Sequence, residues 1–79
     1  MIIRHSARKH GIPDEDIVTA VGSPILSGSL DDENPQRILI LGFDTHGRVI
    51  ELVVLVHDDG TEEAIHAMKA RKKYLDLIP

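Results

Sequence analysis

Three apolar runs separated by two turn signals constrain this chain most. Ile38–Phe43, Val49–Val56 and Ala64–Met68 are broken by Asp44-Thr45-His46-Gly47 and by Asp58-Asp59-Gly60-Thr61. Polar residues followed by glycine between apolar runs are the mark of tight hairpins, so three consecutive antiparallel strands are expected. With two-residue loops, His46-Gly47 and Asp59-Gly60, Phe43 pairs with Ile50, Leu41 with Leu52 and Leu39 with Val54. Val54 then meets Ile65, and Leu52 meets Ala67. One face collects Leu39, Leu41, Phe43, Ile50, Leu52, Val54, Val56, Ile65 and Ala67, and is the expected core. The other holds Ile38, Ile40, Gly42, Val49, Glu51, Val53, Leu55, His57, Ala64, His66 and Met68. That second face is too apolar for open water and polar in its middle. Turn length decides all of this, because a one-residue slip moves a strand's side chains to the opposite face.

The remaining segments must pack on that sheet. Ile2 to His10 is expected to form a short helix with Ile3 and Ala7 on one side, stopped by Gly11. Ile12-Pro13-Asp14-Glu15-Asp16 is a second helix start: proline suits the first turn and the acids suit the positive end of the helix dipole. That helix should run to about Val21, with Ile17, Ala20 and Val21 as its apolar stripe. Ile25–Leu30 reads as an edge strand, Asp31–Pro35 as a solvated loop and Lys69–Leu75 as a short C-terminal helix or tail. The expected fold is α+β, in one domain over residues 1–79: two short N-terminal helices on a three- to four-stranded antiparallel meander, with a basic C-terminal helix or tail.

A chain of 79 residues has a marginal core, and with no cysteine it has no disulfide or thiolate-metal support. That composition suits a cytoplasmic protein. No apolar run reaches the roughly 20 residues of a membrane span, and the first residues lack a signal peptide's apolar core. The net charge of −4 is unevenly spread: residues 1–30 sum to zero, 31–63 to −7 and 64–79 to +3. Overall acidity argues against broad nucleic-acid affinity, but the two basic ends would make a local patch if they met.

Two stretches together carry a resemblance. One is Arg8-Lys9-His10-Gly11-Ile12, followed by the acid-rich helix and Ala20-Val21-Gly22-Ser23-Pro24; the other is Ile65-His66-Ala67-Met68-Lys69-Ala70-Arg71-Lys72-Lys73-Tyr74. This pattern resembles the BrnT-type toxins of bacterial type II toxin–antitoxin modules, relatives of the RelE-like ribonucleases. The family typically has a Lys-His-Gly-Val-like step between two short helices, then a meander, an Ile-Ser-Ala-Arg-Lys-Ala-like strand end and a basic tail. Here His66 stands where the family has serine and Met68 where it has arginine. The resemblance implies a RelE-like fold and a toxin that cleaves RNA, such as ribosome-associated mRNA, without metal or other cofactor, restrained by a cognate antitoxin protein.

Such cleavage uses the RNA's own 2′-hydroxyl against the adjacent phosphate, so the protein must orient, stabilise charge and move protons. The candidates for this work are Glu51, His66, Lys69, Arg71, Lys72 and Tyr74, with Arg4, Arg8, Lys9, His10 and Lys73 as RNA-binding groups. In the register above Met68 lies opposite Glu51, which puts His66 diagonal to Glu51 and within side-chain reach. A carboxylate there can orient an imidazole for acid–base work, or the two can form a structural polar pair. The cations at 69–73 either grip phosphates or solvate a helix end. The five histidines show no ligand spacing, so no metal site is expected. The Met68 departure and the net acidity suit a different class: a non-catalytic module of the same fold, acting through a protein partner or as a homodimer.

Overall fold

The computed structural model describes all residues 1–79. The three apolar runs do form an antiparallel meander, which is extended at both edges. In chain order the elements are β1 (Ile2–Ile3), a 3-10 turn over His5–Arg8, α1 (Asp14–Gly22), β2 (Pro24–Ser29), β3 (Gln36–Phe43), β4 (Val49–Val56), β5 (Glu62–Lys69) and α2 (Lys72–Leu75). They build one five-stranded mixed sheet in the order β1-β5-β4-β3-β2, with β1 parallel to β5 and every other pair antiparallel.

The expected fold is corrected here. The chain does not place two N-terminal helices on a purely antiparallel meander, and so does not take the RelE-like arrangement. The first expected helix is a strand followed by a single 3-10 turn. Ile2 and Ile3 are β-branched and favour extended backbone, and the open edge of β5 supplies partners for it: Ile2 pairs with Glu63, Ile3 with Ala64, and Arg4 N donates to Ala64 O at 2.9 Å. A helix of nine residues has little stability of its own to set against those bonds.

Both hairpin loops hold three residues instead of two. In the first, Asp44 N donates to Arg48 O at 2.9 Å and Gly47 N to Asp44 O at 3.1 Å, with Gly47 at φ +76°. A turn followed by one left-handed residue is the usual three-residue hairpin. The register of β3 therefore slips by one: Gly42 pairs with Ile50, Ile40 with Leu52 and Ile38 with Val54. The faces of β3 are exchanged relative to expectation. Ile38 and Ile40 point to the core, and Leu39, Leu41 and Phe43 to the other face. In the second loop His57 N donates to Thr61 O at 2.9 Å. A bulge at Ile65 then absorbs the extra residue, so Leu52 pairs with Ala67 and Glu51 with Met68, as the shorter loop would have had it. Ala64 turns to the core.

The core lies on the face covered by α1 and the 3-10 turn: Ala7, Ile17, Ala20, Ile40, Ile50, Leu52, Val54, Ala64 and Ala67, with Ile3, Ile12, Val21, Ile38 and Val56 at its margin. Gly42 sets how closely α1 approaches. A Cβ there would lie 1.9 Å from Ala20 O and 3.1 Å from Ser23 O, both backbone atoms. Phe43 N donates to the same Ser23 carbonyl at 3.1 Å, so the helix end is hydrogen-bonded to the strand it would have to leave. Gly42→Ala is expected to lower stability by roughly 2–4 kcal/mol through this overpacking. A fall in the urea midpoint checks it; a change below about 0.5 kcal/mol, the range of a neutral surface substitution, contradicts the close packing.

Candidate functional site

Glu51 is on the middle strand, on the face away from α1, and is only 1% exposed. An ionised carboxylate in that position must have its oxygens satisfied. The chain does this with two residues distant in sequence. Arg71, just before α2, donates from its backbone N and Nε to Oε1, both at 2.9 Å, and from Nη2 to Oε2 at 2.8 Å. His66 Nε2 lies 2.9 Å from Oε2. Burial pushes the Glu51 carboxyl up, but the Arg71 side-chain and backbone bonds together with the His66 bond outweigh it and hold it at about 2. The same bonds raise Arg71 further above its ordinary value.

Because the carboxylate is ionised it can only accept, which places a proton on His66 Nε2. Nδ1 of His66 is then the nitrogen free for chemistry. The rings of His10 and His66 form an edge-to-face pair, with 5.7 Å between centroids and an interplanar angle of 78°. The 3-10 turn brings His10 there: Ser6 Oγ donates to Ile65 O at 2.6 Å and ties the turn to the strand carrying His66. The site is thus a buried carboxylate, an imidazole oriented by it, an arginine clamping it and a second imidazole facing the first.

The other expected residues divide. Lys69 is exposed at the end of β5 and pairs with Ile50 of the core face, so its side chain leaves the sheet on the face opposite Glu51 and His66. Tyr74 is half-buried, with Arg71 Cζ 5.5 Å and Lys73 Nζ 4.8 Å from its ring centroid, a cation–π stack that gathers the basic end. Lys72 is engaged by Asp76 at 3.0 Å on the surface. Arg4 pairs with Glu63 at 3.0 Å, and Arg8 makes two bonds to Asp14 at 2.9 and 2.8 Å. Lys9 enters no salt bridge. Arg71 acts first as a positioning residue, since Nε and Nη2 are committed to Glu51; its side chain is still 47% exposed, so the outer edge of the guanidinium faces solvent.

Two groups were not expected from sequence. Asp16, Asp44 and His46 bring potential ligand atoms within 4.8 Å of one another. Both carboxylates are already used: Asp16 accepts from Thr45 N and Oγ1, and Asp44 from His46 N, Arg48 N and Arg48 Nε. This group staples α1 to the first hairpin loop. At the opposite end of β5, His57 Nε2 lies 2.6 Å from Glu63 Oε2, which also holds Arg4. Neither was legible because each joins residues that only the true loop length or the tertiary fold brings together. The largest cavity, about 320 Å³, is at this acidic end, where Asp32, Glu33 and Asp58 line it.

Comparison of the chain with protein-family models, curated proteins and solved structures finds no match in any of the three. No helix is long and apolar enough to cross a membrane.

The buried glutamate makes stability pH-dependent. Its folded value of about 2 lies below the ordinary 4.5, so its contribution is complete above pH 4.5 and is lost as pH falls toward 2. The depression corresponds to roughly 3 kcal/mol at neutral pH. Urea unfolding of wild type and Glu51→Gln is expected to show a gap of that order at pH 7 that closes by pH 2. A gap that does not change with pH contradicts the assignment of a buried, ionised Glu51.

Proposed function

We propose that this chain is a metal-independent endoribonuclease, the toxin of a cytoplasmic toxin–antitoxin pair. The observation that carries the reading is the facing of His10 and His66, with His66 anchored through Nε2 to Glu51. The likeness of Arg8–Ile12 and Ile65–Tyr74 to BrnT-type toxin motifs supports it. So does the meeting of the two chain ends along β5, where the outer edge of Arg71 lies beside the histidine that shares Glu51 with it.

Two imidazoles side by side suffice for RNA transesterification. Neutral Nδ1 of His66 takes the proton of a 2′-hydroxyl as the 2′-oxygen bonds to phosphorus. His10, protonated, gives a proton to the departing 5′-oxygen as the P–O5′ bond breaks. The products are a 2′,3′-cyclic phosphate and a 5′-hydroxyl end. Glu51 holds the base in the required tautomer and stabilises the imidazolium that forms. The free edge of Arg71, held by its bonds to Glu51, stabilises charge on the phosphorane, and a fixed donor there is worth most because it needs no reorganisation. Met68, where the resembling family has arginine, contributes no charge, and Arg71 is the cation placed to take over that role.

The face of the sheet away from α1 suits a protein partner. Phe43 is 46% exposed there, on the same face as the half-buried Leu39, Val53 and Leu55 farther along the strands. Under this reading a cognate antitoxin covers it. Without cleavage chemistry, the same face supports a module that acts by binding a protein partner or a second copy.

The purified chain, incubated with single-stranded RNA in EDTA, or with ribosome-bound RNA in a magnesium buffer, is expected to yield 2′,3′-cyclic phosphate ends. His66→Ala and His10→Ala are each expected to lower the rate by about 10²-fold or more, the range for loss of a general acid or base. Intact RNA from folded protein under both conditions, or full activity in both variants, contradicts the reading.

A further inference from the structure

The two edges of the sheet differ. β1 closes one side with only two residues, whereas β2 closes the other with six, and no strand lies beyond it. Leu30 N donates to Arg37 O at 2.8 Å. Bonding to β3 therefore falls on Leu30 and, at every second residue, on Gly28 and Leu26, which pair with Leu39 and Leu41. The N–H and C=O of Ser27 and Ser29 point outward from the edge. Sheet edges are ordinarily blunted by charge, proline, bulges or shortness. Here Pro24 and the bulge beside it guard only the start of the strand. Residues 17–30 carry no charged side chain, the longest such run in the chain.

We propose that β2 is a self-association edge. Two copies of this chain pair β2 against β2, antiparallel, about a two-fold axis at Gly28, and so join two five-stranded sheets into one. Two features select that register. Ser27 lies opposite Ser29 of the second copy, and Ser29 opposite its Ser27, so all the outward N–H and C=O groups of both residues are paired. Leu26 lies opposite Leu30 of the second copy, and Leu30 opposite its Leu26, in the closer, non-hydrogen-bonded kind of pair. These leucines are on the face away from α1, where Leu30 is 45% exposed. An axis at Ser27 or at Ser29 would set a leucine opposite Gly28 and lose these contacts. Charge agrees with the antiparallel sense: the acidic stretch Asp31–Glu33 follows β2, so the two copies carry it at opposite ends of the joint. The joint uses none of Glu51, His66 and His10, and stands or falls apart from the ribonuclease reading.

An interface of this size is weak, so sedimentation equilibrium is run from micromolar to millimolar chain. The mass is expected to rise with concentration from 8.7 kDa toward twice that value. Ser27→Pro removes an outward N–H from each copy and no bond within the chain, since proline is accepted where a strand's N–H faces solvent. It is expected to weaken association by about tenfold or more. Leu30→Lys, at an exposed position, sets a charge opposite Leu26 and is expected to weaken it to a similar extent. Amide exchange reads the register: the N–H groups of Ser27 and Ser29 are expected to slow as concentration rises. A monomer throughout the range overturns the proposal. A dimer that either variant leaves intact, or in which the Ser27 and Ser29 amides stay fast, also overturns it, because such a dimer uses another surface.

Discussion

A single ionised group, the Glu51 carboxylate, organises the sheet face away from α1. An aliphatic sheet tolerates a buried charge only if the charge is fully paired and hydrogen-bonded. Meeting that demand pulls the chain after β5 back over the sheet, so that the backbone and side chain of Arg71 both reach Glu51. It also fixes the orientation and tautomer of His66. Removing either partner would leave charge buried without compensation. The ionised form is therefore built into the fold, and it orients the histidine bonded to it.

The sequence made the strands legible and the register only partly so. Periodicity and glycine punctuation located β3, β4 and β5 and placed Ile50, Leu52 and Val54 in the core. They could not distinguish a two-residue from a three-residue loop, because Asp44-Thr45-His46-Gly47 suits both. That single residue exchanged the faces of β3. The pairing of β4 with β5 still came out as expected near Glu51, because the bulge at Ile65 cancels the longer second loop. The neighbourhood of Glu51 and His66 was thus readable from cross-strand geometry alone. The clamp by Arg71, the approach of His10 and the staple at Asp16 were not, since each depends on how non-adjacent segments return to the sheet. The N-terminal strand escaped for a similar reason: its stability comes from the edge of β5, not from its own residues.

Charge is segregated along the sheet. Asp31 to Glu33, Asp58, Asp59, Glu62 and Glu63 gather at the end holding the second hairpin turn, and the cations of the C-terminal stretch lie at the other end. The 3-10 turn lies between, along β5, with Arg4 just before it neutralised by Glu63 and Arg8 within it by Asp14. The cations left without an acidic partner are few: Lys9, Lys69 and Lys73.

If the Glu51–His66 pair cleaves RNA inside a cell, inducible expression of the chain alone in a bacterial host, with growth followed and total RNA sampled over the next hour, gives growth arrest with new RNA 5′ ends, and His66→Ala at matched soluble levels gives neither. Unimpaired growth with intact RNA, at confirmed soluble expression of the wild-type chain, would contradict it.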